Sequence, residues 1–248
     1  MRSVALAAPA KLTLSLRMVG LRDDGYHLVD AEMVAVDLVD ELVVTPTPAD
    51  LDPVVRIEDC TDGSGLVVPG GPDDMVARAL RLAGRSAEVL VRKSIPAGAG
   101  LGGGSSDAAA ILRWARFGDV AAAAGIGADV AFCLVGGRAR VTGIGEVVES
   151  LPFEQRTFTL LMPPVGCPTP AVYRRWDEMG CPTGDHGNDL EPAAVDLVPE
   201  LVRWRDELGD ATGRRPRLAG SGSTWFVEGA YAGEGRRVVR TVPSVAPA

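Results

Sequence analysis

Hydrophobic and polar positions alternate along the first fifty residues in the way that is typical of half-buried strands. Leu12, Leu14 and Leu16 are each separated by one polar residue, and residues 28–44 are rich in valine. A period of two places the apolar side chains on one face of a strand. We therefore predict that residues 4–19 form a strand pair or one long bent strand, interrupted at Pro9-Ala10-Lys11, and that an Asp-Gly turn leads into a second strand.

Helical and strand patterns follow one another along the rest of the chain. An acidic cap at Asp73 or Asp74 begins a helix with one apolar face that ends near Gly84. The further predicted elements of the first 150 residues are loops at 45–73 with a short strand at 54–57, a strand at 87–92, a helix to about 116, one or two helical turns in 118–127, an apolar segment at 130–134 and a hairpin at 138–148. After these we predict a strand at 157–162, a helix from 169, a helix at about 197–208, a Gly/Ser loop at 217–224 before a strand, and a last strand at 238–242 before a frayed tail.

The composition shifts near Leu151-Pro152, which predicts two domains, residues 1–150 and 151–248. A formal net charge of −8 argues against a nucleic-acid partner, because no face rich in Lys and Arg offsets the repulsion of phosphates. We find no signal peptide and no run that approaches the ~18 apolar residues of a membrane span. The four cysteines form no Cys-x-x-Cys pair, which favours reduced, structural thiols. We expect a soluble cytoplasmic protein without a membrane partner.

One stretch, from Pro96 to Ser106, has the properties of an anion site. Five glycines fall within residues 98–104, and an alanine-rich helical segment follows. Such a backbone curls closely around a ligand, and the start of a helix offers unpaired N–H groups and a partial positive charge. A flexible linker is the alternative, but a strand and a helix flank the stretch directly. No Lys-Ser/Thr pair follows the last glycine, so the stretch is not a Walker P-loop.

Scarce residues mark further candidates. Lys11 and Lys93 are the only lysines among 25 basic residues, Asn188 is the only asparagine, and His27 and His186 are the only histidines. A chain that uses arginine almost everywhere retains lysine where a compact ammonium is needed.

Lys11 and Asp129 fit the needs of phosphoryl transfer to a hydroxyl group. The reaction requires positive charge on the phosphate oxygens and a group that takes the proton of the attacking hydroxyl. A neighbouring ammonium keeps an aspartate ionised at neutral pH. The structural alternatives are that Asp129 only caps a helix and that Lys11 is a surface residue.

Several segments together resemble the GHMP kinase superfamily. They occur in the order Pro9-Ala10-Lys11, Asp24-Gly25-Tyr26-His27, Lys93, the glycine stretch with Gly-Leu-Gly-Gly-Gly-Ser-Ser, Gly127-Ala128-Asp129-Val130, Asn188-Asp189-Leu190-Glu191 and Gly220-Ser221-Gly222. The resemblance implies an α+β, two-domain GHMP kinase fold, with an N-terminal ribosomal-S5-like α/β domain that carries the phosphate loop and a C-terminal ferredoxin-like α+β domain. It also implies an ATP-dependent small-molecule kinase that uses ATP and Mg²⁺. The Asp-Gly-Tyr-His and Asn-Asp-x-Glu segments resemble the branch that phosphorylates the 2-hydroxyl of a cytidyl-diphosphate methylerythritol for non-mevalonate isoprenoid synthesis.

The resemblance also assigns roles to residues. Asp129 becomes the base and Lys11 its partner. Lys93 lies by the nucleotide, Tyr26 and Tyr173 sandwich the cytosine, and His27 hydrogen-bonds to that ring. Gly220 and Ser221 close over the site from the second domain. The ATP phosphates are wrapped by Pro96, Ala97, Gly98, Ala99, Gly100, Leu101, Gly102, Gly103, Gly104, Ser105 and Ser106. Tyr173 has a structural alternative, a core aromatic on an amphipathic helix. The resemblance assigns no Mg²⁺ ligands, and both a monomer and a homodimer fit it.

Three departures from the usual pattern keep other functions open. Thr13 and Asp74 stand where asparagine is usual in the family, and the segment before Asp129 is short. The alternatives are another GHMP kinase, of the homoserine or mevalonate type, and an inert nucleotide-binding relative.

Overall fold

A long β-hairpin forms the centre of the chain. The computed structural model describes residues 2–61, 71 and 73–244. Strand β1 (Val4–Leu21) pairs antiparallel with β2 (His27–Pro46), so the first strand is one bent strand rather than a pair. Its register shifts after Pro9, which lies opposite Val39, whereas Lys11 lies opposite Ala35. Proline cannot donate to a ladder, so the bulge falls where the sequence predicts the interruption.

The first sheet contains six strands because β2 is long enough to serve three neighbours. Strand β1 runs along one edge of β2, while β5 (Arg138–Gly143) and β4 (Ala87–Lys93) share the other edge. Strand β3 (Val54–Asp59) pairs parallel with β4, and β6 (Val147–Ser150) completes the predicted hairpin with β5. Residues 62–70, within the predicted loops, and 245–248, within the predicted tail, lie outside the described residues.

Four helices precede the second sheet, and small buried side chains line the central one. Helix α1 (Met75–Leu82) begins at the predicted cap, where the Asp74 carboxylate accepts a 2.8 Å hydrogen bond from the Val76 amide. Helix α2 (Gly103–Trp114) buries Ala108 to Leu112 completely or nearly so. Helices α3 (Val120–Ala124) and α4 (Ala128–Val135) follow.

Helix α2 begins two residues before Ser105, the first residue that we interpret as a helix start from the sequence. Gly102 takes the N-cap position with a φ of 67°. Ser105, Ser106 and Asp107 therefore lie inside the helix, and the carboxylate of Asp107 is free for another partner.

The second sheet is antiparallel and has the order β10-β7-β9-β8. Its strands are β7 (Thr157–Leu161), β8 (Arg217–Leu218), β9 (Trp225–Glu228) and β10 (Arg236–Arg240), and its helices are α5 (Thr169–Glu178), α6 (Glu191–Leu197) and α7 (Leu201–Thr212). Two expectations change here. Helix α6 was not predicted, and α7 begins at Leu201 instead of near Leu197, since Pro199 lacks the N–H that an uninterrupted helix needs.

The two sheets share a hydrophobic core. Leu12, Val34 and Val36 of the central hairpin pack in one cluster with Phe158 and Phe226 of the second sheet. The predicted division between residues 150 and 151 falls between β6 and β7, and the independence of the two domains stays a prediction. In the part of the chain that the structure describes, no helix has the length and apolarity required to cross a membrane.

Candidate active site

A cavity of about 970 Å³ lies where the two glycine segments meet. Its wall combines the glycine stretch of the first domain with Gly220 and Ser221 of the second. Lys11 and Asp129 lie in the same wall, together with Lys93, Tyr26, His27 and Tyr173. Among the predicted site residues only Ser106 is absent from this lining, and its hydroxyl donates a hydrogen bond to the Pro9 carbonyl behind the loop.

Backbone hydrogen bonds hold the glycine stretch from both domains. The Lys11 amide donates to the Leu101 carbonyl at 3.0 Å. From the second domain, the Cys167 amide donates to Gly98 and the Thr224 amide donates to Ala99, each at 3.1 Å. These hydrogen bonds fix the loop in place and join the two halves of the chain.

The start of helix α2 faces this loop and supplies donors for an anion. The amides of Gly103, Gly104 and Ser105 belong to the first helical turn, where intrahelical acceptors are missing. Gly102 has no room for a side chain, since an added Cβ would lie 2.7 Å from Cγ of Lys11. The close approach brings the lysine to the same end of the helix as the free amides, which is an arrangement suited to phosphate.

Lys11 and Asp129 form an ion pair in the cavity wall. The distance from Lys11 Nζ to Asp129 Oδ2 is 3.2 Å, and the lysine side chain is 7% exposed. Nζ also donates to the Thr13 hydroxyl at 3.1 Å. Gly127 is the N-cap of α4, and Asp129 lies in its first turn, where the helix dipole stabilises a carboxylate. Neither structural alternative describes these residues, because Asp129 is not the cap and Lys11 is not on the surface.

Lys93 lies beneath the glycine stretch and is held by two carboxylates. Its ammonium donates to Asp107 at 2.6 Å and to Asp40. The other oxygen of Asp40 accepts from the amides of Ser94 and Ile95. The family resemblance implies that Lys93 lies by the nucleotide, and its position in the cavity wall is compatible with that role. The pairing with Asp40 and Asp107 was not predicted.

Two carboxylates on one ammonium leave an excess negative charge. Burial, opposed by the Lys93 ammonium and assisted by the Asp40 carboxylate, raises the pKa of Asp107 from 3.8 to about 7. The folded protein holds this proton over a pH range in which the unfolded chain has released it. The stability that the proton contributes is thus fully present below about pH 4 and is lost as the pH rises through the folded pKa.

We expect Asp107→Asn to abolish the loss of stability that accompanies the rise in pH. The free energy of unfolding of the variant should rise relative to that of the wild type, by at most about 1.4 kcal/mol per pH unit, between the two pKa values. Urea unfolding at a series of pH values measures it, with the exposed Glu88→Gln as the control. Parallel pH profiles for wild type and Asp107→Asn would contradict the assignment.

Three aromatic rings form a cluster, of which His27 and Tyr173 line the cavity and Trp176 packs behind them. His27 lies 5.2 Å from Tyr173 and 5.5 Å from Trp176 between ring centroids. Its Nε2 is 2.7 Å from a carboxylate oxygen of Asp177, a partner that sequence reasoning missed. Burial, with a smaller contribution from the Asp129 carboxylate, raises the pKa of Tyr173 to about 12, so its phenol stays protonated. Tyr26 is 59% exposed at the rim.

Comparisons with known proteins identify the family of this chain. The profile of the GHMP kinases N terminal domain matches residues 73–137, which include the glycine stretch and Asp129. The 4-diphosphocytidyl-2-C-methyl-D-erythritol kinase of Paracoccus denitrificans is 36% identical over 242 residues, covering 89% of this chain and 85% of the relative. This chain belongs to the 4-diphosphocytidyl-2-C-methyl-D-erythritol kinase family. A family member from Pelotomaculum thermopropionicum is 35% identical, covering 90% of this chain and 88% of that relative.

Solved structures confirm the predicted α+β, two-domain GHMP kinase fold. A crystal structure of 4-(cytidine 5'-diphospho)-2C-methyl-D-erythritol kinase superposes with a TM-score of 0.73 at 29% identity, covering 96% of this chain and 98% of that one. A homoserine kinase from Cytophaga hutchinsonii superposes with a TM-score of 0.63 at 18% identity, covering 98% of this chain and 96% of that one. The second match shows a shared fold only.

The departures from the family pattern have local explanations. Thr13 places its hydroxyl on the Lys11 ammonium, and Asp74 caps α1. The short segment before Asp129 contains α3, and the Arg113 guanidinium ties α4 to α2 through the Cys133 carbonyl. Gly145 packs so closely on the start of α4 that an added Cβ would lie 2.9 Å from the Ala128 carbonyl oxygen. The helix that carries Asp129 is therefore braced on two sides.

Proposed function

We propose that this chain transfers the γ-phosphoryl group of ATP to the 2-hydroxyl of 4-diphosphocytidyl-2-C-methyl-D-erythritol, giving the 2-phosphate and ADP. The observation that carries the proposal is the Lys11–Asp129 ion pair of 3.2 Å. The pair lines the same cavity as the start of helix α2 and the rings of Tyr26, His27 and Tyr173. The family membership favours this acceptor over homoserine or mevalonate.

In this reaction Asp129 accepts the proton of the 2-hydroxyl as the oxygen attacks the γ-phosphorus and the bond to ADP breaks. Lys11 carries the positive charge that the transferred group requires. The amides at the start of α2 hold the remaining phosphate oxygens. Binding both reactants in one cavity supplies the in-line approach, which is the main protein contribution to phosphoryl transfer.

We further propose that Mg²⁺ accompanies ATP. In the described ranges, no group of three His, Cys, Asp or Glu side chains is arranged to hold a metal. This fits Mg²⁺, which is commonly bound through one or two protein oxygens and the substrate phosphates. The hydroxyl of Ser105, in the cavity wall at the start of α2, would hold it. When bound, the ion neutralises charge on the phosphates, a contribution that the several aspartates of this wall cannot make.

The aromatic side chains of the cavity wall support a cytosine ligand. Stacking on Tyr26 and Tyr173 suits the face of a base, and the ring nitrogen of His27 that is not paired with Asp177 is left to hydrogen-bond to the ring edge. Tyr173 and Asp129 line the same cavity, so the aromatic rings and the reactive pair face one space. The acceptor would thus lie with its cytosine on the rings and its erythritol moiety at Asp129.

We expect His27→Ala to raise the apparent KM for the acceptor by about tenfold, since roughly one hydrogen bond to the bound base is lost. The KM for ATP should stay unchanged. Steady-state kinetics with each substrate varied measures both constants, and His186→Ala is the matched control, because His186 is outside the described cavity lining. An unchanged acceptor KM would contradict the cytosine assignment.

ADP release with a panel of alcohols tests the proposal as a whole. Turnover with the cytidyl-diphosphate acceptor, and none with homoserine or mevalonate, is the expected result. Turnover only with a different alcohol would overturn the assignment of the acceptor. ATP binding without any turnover would favour the inert relative.

A further inference from the structure

The side chain of Asn188 is buried behind the second glycine segment and has every hydrogen-bonding atom engaged. Its Nδ2 donates to the carbonyls of Leu218 and Gly220, at 2.9 and 2.7 Å. Its Oδ1 accepts from the Leu190 amide at 3.0 Å. The residue is 3% exposed and does not line the described cavity wall. The proposed reaction therefore gives it no direct role.

The backbone around Asn188 is attached to the strand that carries Lys11. Leu16 of β1 forms a parallel bridge with Asn188, in which its amide donates to Gly187 at 2.7 Å and its carbonyl accepts from Asp189 at 3.0 Å. The Asp189 carboxylate adds hydrogen bonds from Arg17 at 2.6 Å and from the Met18 amide at 2.9 Å. The main chain at Asn188 thus moves with β1, while its side chain holds the glycine segment.

The glycine segment lies directly over Lys11. A Cβ added to Gly220 would lie 3.3 Å from Lys11 Nζ and 3.7 Å from the Thr13 hydroxyl. The adjacent Ser221 hydroxyl is 2.8 Å from that of Thr169 at the start of α5, the helix that carries Tyr173. A shift of the Gly220 carbonyl would therefore change the space above the ammonium and the approach of the acceptor.

We propose that Asn188 is a positioning residue that fixes the height of the Gly220-Ser221 segment above Lys11 and thereby sets the rate of phosphoryl transfer. The inference rests on the proposed kinase reaction. The two donors of the rigid Asn188 amide define the distance between β1 and the Gly220-Ser221 segment. Among the common side chains of this size, only asparagine offers two donors and an acceptor. Displacements of about 1 Å away from the reacting atoms are sufficient to cost up to roughly 100-fold in rate.

The decisive variant is Asn188→Asp, which keeps the shape, loses both donors and turns a carboxylate towards two carbonyl oxygens. We expect kcat to fall about tenfold or more, while the KM values for ATP and for the acceptor stay within about threefold. Thr241→Val is the matched control, because it removes a buried hydroxyl whose partners, the Glu154 carbonyl and the Arg156 amide, lie outside the described cavity lining. It should lower the thermal midpoint and leave kcat near that of the wild type.

The outcomes separate the inference from the proposed function. Wild-type protein without turnover on any alcohol overturns both. An active wild type with full kcat in Asn188→Asp overturns the inference alone, and so does an equal loss of kcat in both variants, since that result indicates a general structural role. If Asn188→Asp does not fold, Gly220→Ala changes the same spacing by adding a methyl group to the glycine segment above Lys11. It should lower kcat with little change in KM, and unchanged kcat there also overturns the inference.

Discussion

Replacement of Asp129 by asparagine is expected to lower kcat by about 100-fold or more, the range typical of the loss of a general base. The amide keeps the size of the side chain but cannot accept the proton of the attacking hydroxyl. Binding of ATP should change little, because the amides of the glycine stretch and the start of α2 hold the phosphates. Single-turnover kinetics with purified protein, together with calorimetric titration of a non-hydrolysable ATP analogue, measures the two effects separately.

Asp119→Asn is the control for this experiment. Asp119 caps α3 in the same region, accepting a hydrogen bond from the Ala122 amide, and asparagine is an equally good cap. Its kcat should equal that of the wild type. Turnover of Asp129→Asn within a factor of a few of the wild type would remove Asp129 from the mechanism, and with it the role of the ion pair.

The second large effect is expected on stability, from Gly100→Ala. Gly100 has a φ of +75°, and an added Cβ would lie 2.2 Å from the Ala219 carbonyl oxygen and 2.8 Å from that of Gly222. The left-handed backbone alone costs an alanine about 1–2 kcal/mol. Contact with two backbone oxygens of the other domain must add to this cost, since neither atom can rotate away. The glycine stretch and the second glycine segment would be forced apart.

Gly180→Ala separates the two contributions. Gly180 has a nearly identical φ of +78° and no atom within 4 Å of an added Cβ. We expect Gly180→Ala to lower the free energy of unfolding by the backbone cost alone. Gly100→Ala should lower it by clearly more and should also bind ATP more weakly. Urea midpoints and nucleotide titration measure these differences. Equal destabilisation of the two variants would contradict the close contact between the glycine stretch and the Gly220 segment.

The sequence predicts the central hairpin, the cap of α1 and the glycine loop because each depends on neighbouring residues. Alternation over β1 and β2, an aspartate before an apolar helix face, and glycines before alanines are all local patterns. The scarcity of lysine and the needs of phosphoryl transfer single out Lys11 and Asp129, and the resemblance to a known family adds Tyr26, His27 and Tyr173. The structure places these residues in the wall of one cavity, and their roles stay predictions.

Other features depend on contacts between distant residues and could not be predicted. Asp40 appears in the sequence as one acid in a valine-rich strand, and only the pairing of β2 with β4 brings it to Lys93. Asp107 follows two serines and looks like a helix start, but Gly102 takes the cap and turns that carboxylate inward. Helix α6 is too short and too close to a proline for a periodic signal. The scarcity of asparagine singled out Asn188, but its partners in the Gly220 segment required the fold.

The near-absence of lysine has a practical consequence for chemical labelling. Lys11 and Lys93 hold the only side-chain amines of the chain, and both lie in the wall of one cavity. Acylating reagents that modify dozens of lysines on an ordinary protein would here have only these two side-chain amines as targets. The extent of lysine acylation, read by mass spectrometry, therefore reports on occupancy of the cavity without any engineered tag.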